Sequence, residues 1–335
     1  MRVVVDAMGG DHAPAEVVRG AHQAATDLGI AVTLVGDEGQ VRAVLDELPK
    51  GGDIHVVHAP DVIGTGESPI RALKAKPNSS LARALREVQS GRGEALVSAG
   101  NTGALMSGSR LEFGMMEGLR RPALGAVVPV FEGHPYLLLD AGANVDARPE
   151  DLLQWAVVGS IYCEKVLGRP EPRVGLLNIG REENKGNDLT RAAHGLLKGA
   201  PLQFVGNVEP RDLPFGVADV VVADGFVGNA ILKLSEGFGL GVFGFLKREM
   251  TASLWTKVGS LFLAPRIRRS TRVFDYAEYG GAPLFGPRVP VIKCHGASKA
   301  KAIRNGVRVG HEFASRGTID RMQSLLATCT GEAGA

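Results

Sequence analysis

The sequence is short of the features that mark several large protein classes. It has three cysteines in 335 residues, Cys163, Cys294 and Cys329, far apart and without CxxC spacing. That argues against a disulfide framework or a thiolate metal site and fits a reduced, cytoplasmic setting. Aromatic residues make up 5% of the chain, and 38 basic against 36 acidic side chains leave a formal net charge of +2. With few stacking platforms and no overall field, a nucleic-acid partner is not expected. No stretch approaches the ~20 apolar residues of a membrane span, and Met1–Asp6 reaches charge before a signal-peptide core could form. No linker rich in Pro or Ser interrupts the chain, so residues 1–335 are expected to form a single domain.

What is present is a globular composition, 44% hydrophobic and 22% charged, with 45 glycines that cluster in loops. Short β-branched runs alternate with amphipathic stretches almost from end to end. This predicts an α/β fold with a largely parallel, helix-covered sheet. Strands are expected at Val3–Asp6, Val32–Val35, His55–His58, Ala95–Ser98, Gly125–Val130, Tyr136–Asp140, Arg173–Asn178, Leu202–Val205, Ala218–Ala223 and Val289–Lys293. Helices are expected at Ala15–Leu28, Leu81–Gln89, Glu150–Leu167, Leu189–Leu197, Val227–Lys247 and Ser298–Ala314.

In such sheets ligands bind beyond the carboxyl ends of the strands, where N–H groups at helix starts attract anions. Six strand-end loops there are rich in Gly, Asn and Asp: 6–14, 98–103, 140–146, 178–187, 224–229 and 295–298. Each alone is explained by the turn and capping preferences of those residues. Together, on one edge of one sheet, they would gather enough amides, hydroxyls and carboxylates to hold a phosphate-bearing ligand. There is no GxxxxGK[ST], HExxH or GxSxG motif. A GxGxxG at Gly239, Gly241 and Gly244 lies inside a predicted helix and follows no strand. Cys294 and His295, adjacent on a strand end, point to opposite faces and cannot serve as a nucleophile and its base, so Cys294 is expected to be a packing residue. His12 reads equally as a capping or a ligand-contacting side chain. Lys185, between Asn184 and Gly186 at a helix start, stands where anions collect.

These segments resemble the PlsX-type phosphate acyltransferases. The resemblance rests on Asp6–Asp11, Ser98–Leu105, Asp140–Asn144, Gly175–Gly180, Lys185–Asn187, Asp224–Asn229, Tyr279–Leu284 and His295–Gly296, in order along nearly the whole chain; Pro287–Pro290 departs from it at a turn between motifs. It implies a fold of the isocitrate dehydrogenase/phosphate acetyltransferase type, a homodimer and no organic cofactor. It also implies transfer of a fatty acyl group from acyl carrier protein to inorganic phosphate, giving an acyl phosphate that a membrane glycerol-3-phosphate acyltransferase uses in phospholipid synthesis. Such a reaction needs no covalent nucleophile from the protein, only positioning and donors for the oxyanion. On that reading Lys185 and Asn229 are the candidate catalytic residues. Gly9, Gly10, Asp11, His12, Ser98, Gly100, Asn101, Thr102, Gly103, Asn144, Asn178, Asn187, Asp224 and His295 are candidates for phosphate and substrate contact. Asp6, Asp140, Asp146 and Asp224 could orient donors, cap loops or bind a divalent ion; no metal site is assigned.

From Thr251 to Arg272 five basic residues, Lys257, Arg266, Arg268, Arg269 and Arg272, occur with no acid, and Leu254, Trp255, Val258, Leu261 and Phe262 recur at helical spacing. This predicts an amphipathic helical excursion at about 248–274, broken at Pro265. Such a segment suits an anionic membrane surface, an acidic carrier protein or a subunit interface.

Overall fold

Val3, Val4 and Val5 are all fully buried, as a strand covered on both faces by helices requires. The structure, a computed structural model, describes residues 1–253, 255–257, 260, 263, 266 and 276–330. The chain begins with β1 (Arg2–Asp6), α1 (Ala15–Asp27), β2 (Ala31–Gly36), α2 (Glu38–Asp46) and β3 (Ile54–His58). It continues through α3 (Pro69–Ala75), α4 (Ser80–Gln89), β4 (Ala95–Ser98) and α5 (Thr102–Phe113). Two short strands follow, β5 (Ala123–Leu124) and β6 (Ala126–Val128), then β7 (Tyr136–Leu139), α6 (Pro149–Lys165), β8 (Arg173–Leu177), α7 (Asp188–Lys198), β9 (Gln203–Val208) and β10 (Val220–Val222). The long α8 (Gly225–Met250) precedes β11 (Ala282–Phe285), β12 (Val291–Lys293), α9 (Ala300–Ser315) and α10 (Thr318–Thr330).

The strands form two sheets, ordered β3-β2-β1-β4-β12-β11-β5 and β6-β7-β10-β8-β9, both mostly parallel. The α/β class and its parallel, helix-covered character match expectation. The gathering of all six loops on one sheet edge does not. The chain leaves the first sheet at Leu124 and enters the second at Ala126. Gly125, between them, lies so close to Phe285 and Leu137 that a Cβ there would meet Phe285 Cε2 at 2.7 Å. Three loops therefore end strands of the first sheet and three end strands of the second.

One apolar core runs through both sheets, joining Val3 and Val5 of β1 to Leu137, Leu139 and Val174 of the second sheet. At its centre lies α6, whose sequence is apolar nearly all round and whose residues from Leu152 to Cys163 include Trp155, Tyr162 and Cys163 fully buried. Tyr162 meets Phe285 of β11 and Phe313 of α9 edge-to-face, each at 5.3 Å between centroids. That aromatic group ties the first sheet to the helix covering the second.

Candidate active site

Each of the strand-end segments leads to a helix start: 6–14 into α1, 98–103 into α5, 140–146 toward α6, 178–187 into α7 and 295–298 toward α9, whereas the expected loop 224–229 is a loop only at Asp224, the N-cap of α8, because Gly225 onward is already helical. Six first turns are thus distributed along the carboxyl edges of the two sheets, with some of their N–H groups already taken by capping side chains.

On the first sheet, β1 and β4 are neighbours, but the connections from their ends diverge, which makes the crevice between them a topological switch point. Asp6 and Ser98 face each other across it, and Lys293 of β12 is in register with Ser98. Ser98 Oγ donates to Asp6 Oδ2 at 2.7 Å and accepts from the Gly100 N–H at 3.0 Å. Above this row the loops interlock. A Cβ on Gly9 would lie 2.6 Å from Asp6 Oδ2 and 2.7 Å from Gly100 N, so only glycine allows the approach. The Asp11 N–H donates to Gly296 O at 2.8 Å. His12, Thr102 and His295 stand exposed on the outer side of these loops, and the Ala297 N–H donates to His295 Nδ1 at 3.2 Å. Burial pushes the Asp6 carboxyl up in pKa and the Lys293 ammonium down, and Asp6 Oδ1 is buried with no hydrogen-bond partner among the described residues.

On the second sheet, Asp140 at the end of β7 is fully buried and organises its loop. Its Oδ1 accepts the N–H groups of Leu124 (2.9 Å), Gly142 (3.2 Å) and Ala143 (3.0 Å). Its Oδ2 accepts the Asn144 N–H (2.7 Å) and Asn144 Nδ2 (2.9 Å). Burial raises its pKa, and these donors act in the opposite direction. The start of α8 is pressed onto the same loop: the Gly225 N–H donates to Asn144 O at 2.8 Å, and a Cβ on Gly228 would collide with the Asp140 carbonyl. This seats the exposed Asn229 side chain against Gly142, whose added Cβ would lie 3.3 Å from it. Asp146, Asn187, Asp224 and Phe226 line an open depression of about 420 Å³ between these loops. Lys185 is exposed on the 178–187 loop, and the bonds to it involve only its backbone, its N–H to Glu182 O and its O to Asn178 Nδ2.

Several predicted contact residues use their side chains within the loops. Asn101 caps α5 through Oδ1 to the Ala104 N–H and donates from Nδ2 to Gly64 O, Thr65 O and Glu67 O, each at 3.1 Å. Asn187 and Asp224 cap α7 and α8, accepting from Thr190 N–H and Val227 N–H at 3.0 Å each. Asn178 accepts the Ile179 N–H, and Asn144 donates to Pro122 O. Gly10 and Gly103 lie in the first-sheet loops as expected, next to Gly296 and Pro69.

A family model described as fatty acid synthesis protein matches residues 1–321. The phosphate acyltransferase of Geobacillus thermodenitrificans is 47% identical, over 97% of this chain and 99% of its own. That of Heliobacterium modesticaldum is 49% identical, over 97% and 98%. The chain belongs to the phosphate acyltransferase family. Among solved structures, a phosphotransacetylase from Streptococcus pyogenes superposes with a TM-score of 0.62 at 16% identity, covering 94% of each chain. A 4-hydroxythreonine-4-phosphate dehydrogenase from Klebsiella pneumoniae does so with 0.56 at 15%, covering 94% of this chain and 99% of that one. At such identities the likeness is one of fold.

In a phosphate acyltransferase the chemistry to be served is acyl transfer to phosphate, and anion-attracting helix starts suit it. Lys293 belongs to none of the motifs legible in the sequence. Its Nζ donates to Ala99 O at 3.2 Å and to Cys294 O, so a buried lysine amine underpins the 98–103 loop of this phosphate acyltransferase. The available signal was a lysine closing the apolar strand Val291–Lys293, where burial of a cation calls for an explanation. Cys294 is buried, with burial pushing its thiol up to about 12, as a packing cysteine should be. The GxGxxG lies within α8. Of the apolar residues in the 251–272 segment, Trp255 is 87% exposed, while Leu254, Val258, Leu261 and Phe262 fall outside the described residues. No described helix is long and apolar enough to cross a membrane.

Proposed function

We propose that this enzyme transfers a fatty acyl group from acyl carrier protein to inorganic phosphate, making acyl phosphate for phospholipid synthesis. A phosphate oxygen attacks the thioester carbonyl carbon, a tetrahedral oxyanion forms, the carbon–sulfur bond breaks, and the carrier leaves as thiolate and takes up a proton. The observation that carries the reading is the set of Gly- and Asn-rich loops at six helix starts in a chain that matches phosphate acyltransferases along almost its whole length. Phosphate is held by N–H groups of the 9–10 and 100–103 loops other than that of Gly100, which donates to Ser98 Oγ. The Lys185 ammonium balances charge on phosphate or oxyanion, and the Asn229 amide donates at the reacting centre. No cofactor is assigned a part.

The purified protein, given acyl carrier protein thioester and labelled phosphate, is expected to form acyl phosphate that hydroxylamine traps as hydroxamate. A second reading has acetyl-CoA as donor. A higher kcat/KM for acetyl-CoA would establish that reading, and stoichiometric carrier binding without any acyl phosphate would mark a noncatalytic scaffold.

Two associations accompany this reading. Leu234, Phe238, Leu240 and Phe245 of α8 are 54–77% exposed, a run of apolar surface that suits cover by a second copy in a homodimer. The 251–272 segment is assigned to reversible contact with an anionic membrane, where a membrane glycerol-3-phosphate acyltransferase would receive the greasy product from a cytoplasmic enzyme. Leu261→Glu is expected to abolish pelleting with anionic liposomes while activity in solution and dimer mass stay unchanged. Dissociation into monomers instead would assign the segment to the subunit interface.

A further inference from the structure

Near-neutral overall charge conceals a local excess beside the first-sheet loops. Ser68 to Arg86 contains five basic residues, Arg71, Lys74, Lys76, Arg83 and Arg86, and no Asp or Glu. Lys76 pairs with Glu67 at 2.6 Å. Arg83 donates to His58 O and Asn78 Oδ1, and Arg86 to Ala82 O and Pro77 O, all neutral acceptors that leave the charge in place. Among the described residues, Arg71 and Lys74 of α3 and Arg110 of α5 have no hydrogen-bond or ion-pair partner, and all three are exposed.

Packing sets the helices that carry these cations side by side next to the 98–103 loop. Pro69 abuts Gly103 and Leu73 abuts Gly108, so α3 and α5 run side by side in the same direction. Both begin at the 98–103 loop, because the Asn101 amide holds the 64–67 segment that leads into α3. Lys74 lies five residues from Pro69, about 7.5 Å along the helix axis. Ile70 and Leu111, 52% and 70% exposed, supply apolar contact on the same two helices. α4 packs against α5 and adds Arg86.

We infer that the surface made by α3, α4 and α5, with Arg71, Lys74, Arg86 and Arg110 around Ile70 and Leu111, is the docking site for the acidic carrier protein that brings the acyl thioester. The inference rests on the proposed carrier-linked donor. It commits to that partner because a donor carried on a protein must dock where its thioester reaches the 98–103 loop, and an acidic face complements unpaired cations there. The membrane-directed 251–272 segment is then left to its own role.

The test is a charge reversal, Arg71→Glu with Lys74→Glu, and separately Arg110→Glu, assayed with acyl carrier protein thioester and with a small acyl-pantetheine thioester. KM for the carrier-bound donor is expected to rise about tenfold or more, and its dependence on salt to flatten. kcat/KM for the small thioester and KM for phosphate should stay within twofold of the parent. An unchanged KM for the carrier-bound donor overturns the assignment, as does an equal loss with both donors. Reduced liposome pelleting with carrier kinetics intact also overturns it, in favour of a membrane face. Failure of the unsubstituted enzyme to make acyl phosphate from either donor would instead sink the proposed function.

Discussion

Lys185→Ala and Asn229→Ala are each expected to slow acyl phosphate formation by about 100- to 1000-fold, the usual cost of removing one oxyanion donor. Neither substitution should disturb the fold. The bonds to Lys185 involve its backbone alone, and its side chain is exposed. Asn229 is exposed just past the first turn of a helix whose start is held by Asp224, Gly225 and Gly228 rather than by the Asn229 amide. The loss should fall on kcat for Asn229→Ala, whose amide is assigned to the transition state. Lys185→Ala should also raise KM for phosphate, because an ammonium attracts the bound dianion before any bond changes. Thermal midpoints within about 2 °C of the parent, on a scale where 1 kcal/mol shifts a large domain by a few degrees, would confirm that folding is intact. Near-normal turnover in both purified variants would remove these residues from the mechanism.

Asp140→Ala should produce the largest loss of stability. The carboxylate is fully buried and accepts five N–H groups, four of them from the backbone. Each donor left buried without an acceptor costs about 1–3 kcal/mol. Even with partial rehydration the sum reaches about 4 kcal/mol or more, a large share of the roughly 5–15 kcal/mol that holds a typical domain folded. The variant is therefore expected to be largely insoluble on expression, or to unfold at much lower urea if recovered. Asp140→Asn offers a graded comparison. Its amide oxygen can serve the three donors at Oδ1, but its NH2 would then face Asn144 N–H and Nδ2, two donors with no acceptor. An intermediate urea midpoint is expected; a loss below about 1 kcal/mol in Asp140→Ala would show that water replaces the carboxylate.

The strands were the legible part of this molecule. Ala95–Ser98 was predicted to the residue, and most other strands to within two or three, because short apolar runs between turn-forming segments carry a local signal. α2 was missed because it buries only Val41, and α3 because it has seven residues and buries only Ala72, leaving little periodicity to read. β5 and β11 were missed as short strands at the edge of the first sheet. The division into two sheets was not legible at all, since the carboxyl end of a strand has the same local composition on either sheet; Gly125, where the chain crosses, looks like any loop glycine until Phe285 is placed against it. For the site, the six loops were legible and the duties of their side chains were not. Asn101, Asn187 and Asp224 make good caps and good ligand contacts for the same reason, a short side chain with an oxygen at its tip. Lys293 was hidden because its significance is tertiary: it matters through its register with Ser98 and, through Ser98, with Asp6, on two strands far earlier in the chain.

That register also sets an order in time. β12 pairs with β4 in the middle of the first sheet, yet about 190 residues of chain separate them. At synthesis rates of about 5–20 residues per second, β4 waits roughly 10 to 40 s on the ribosome before its neighbour emerges. Throughout that interval β1 to β4 present an open, apolar strand edge of the kind that invites wrong pairing. The second sheet, continuous in sequence from β6 to β10, can close first. The nascent enzyme should accordingly depend on holding chaperones through its amino-terminal third, and acquire its buried lysine and a closed first sheet only as its last strands are made.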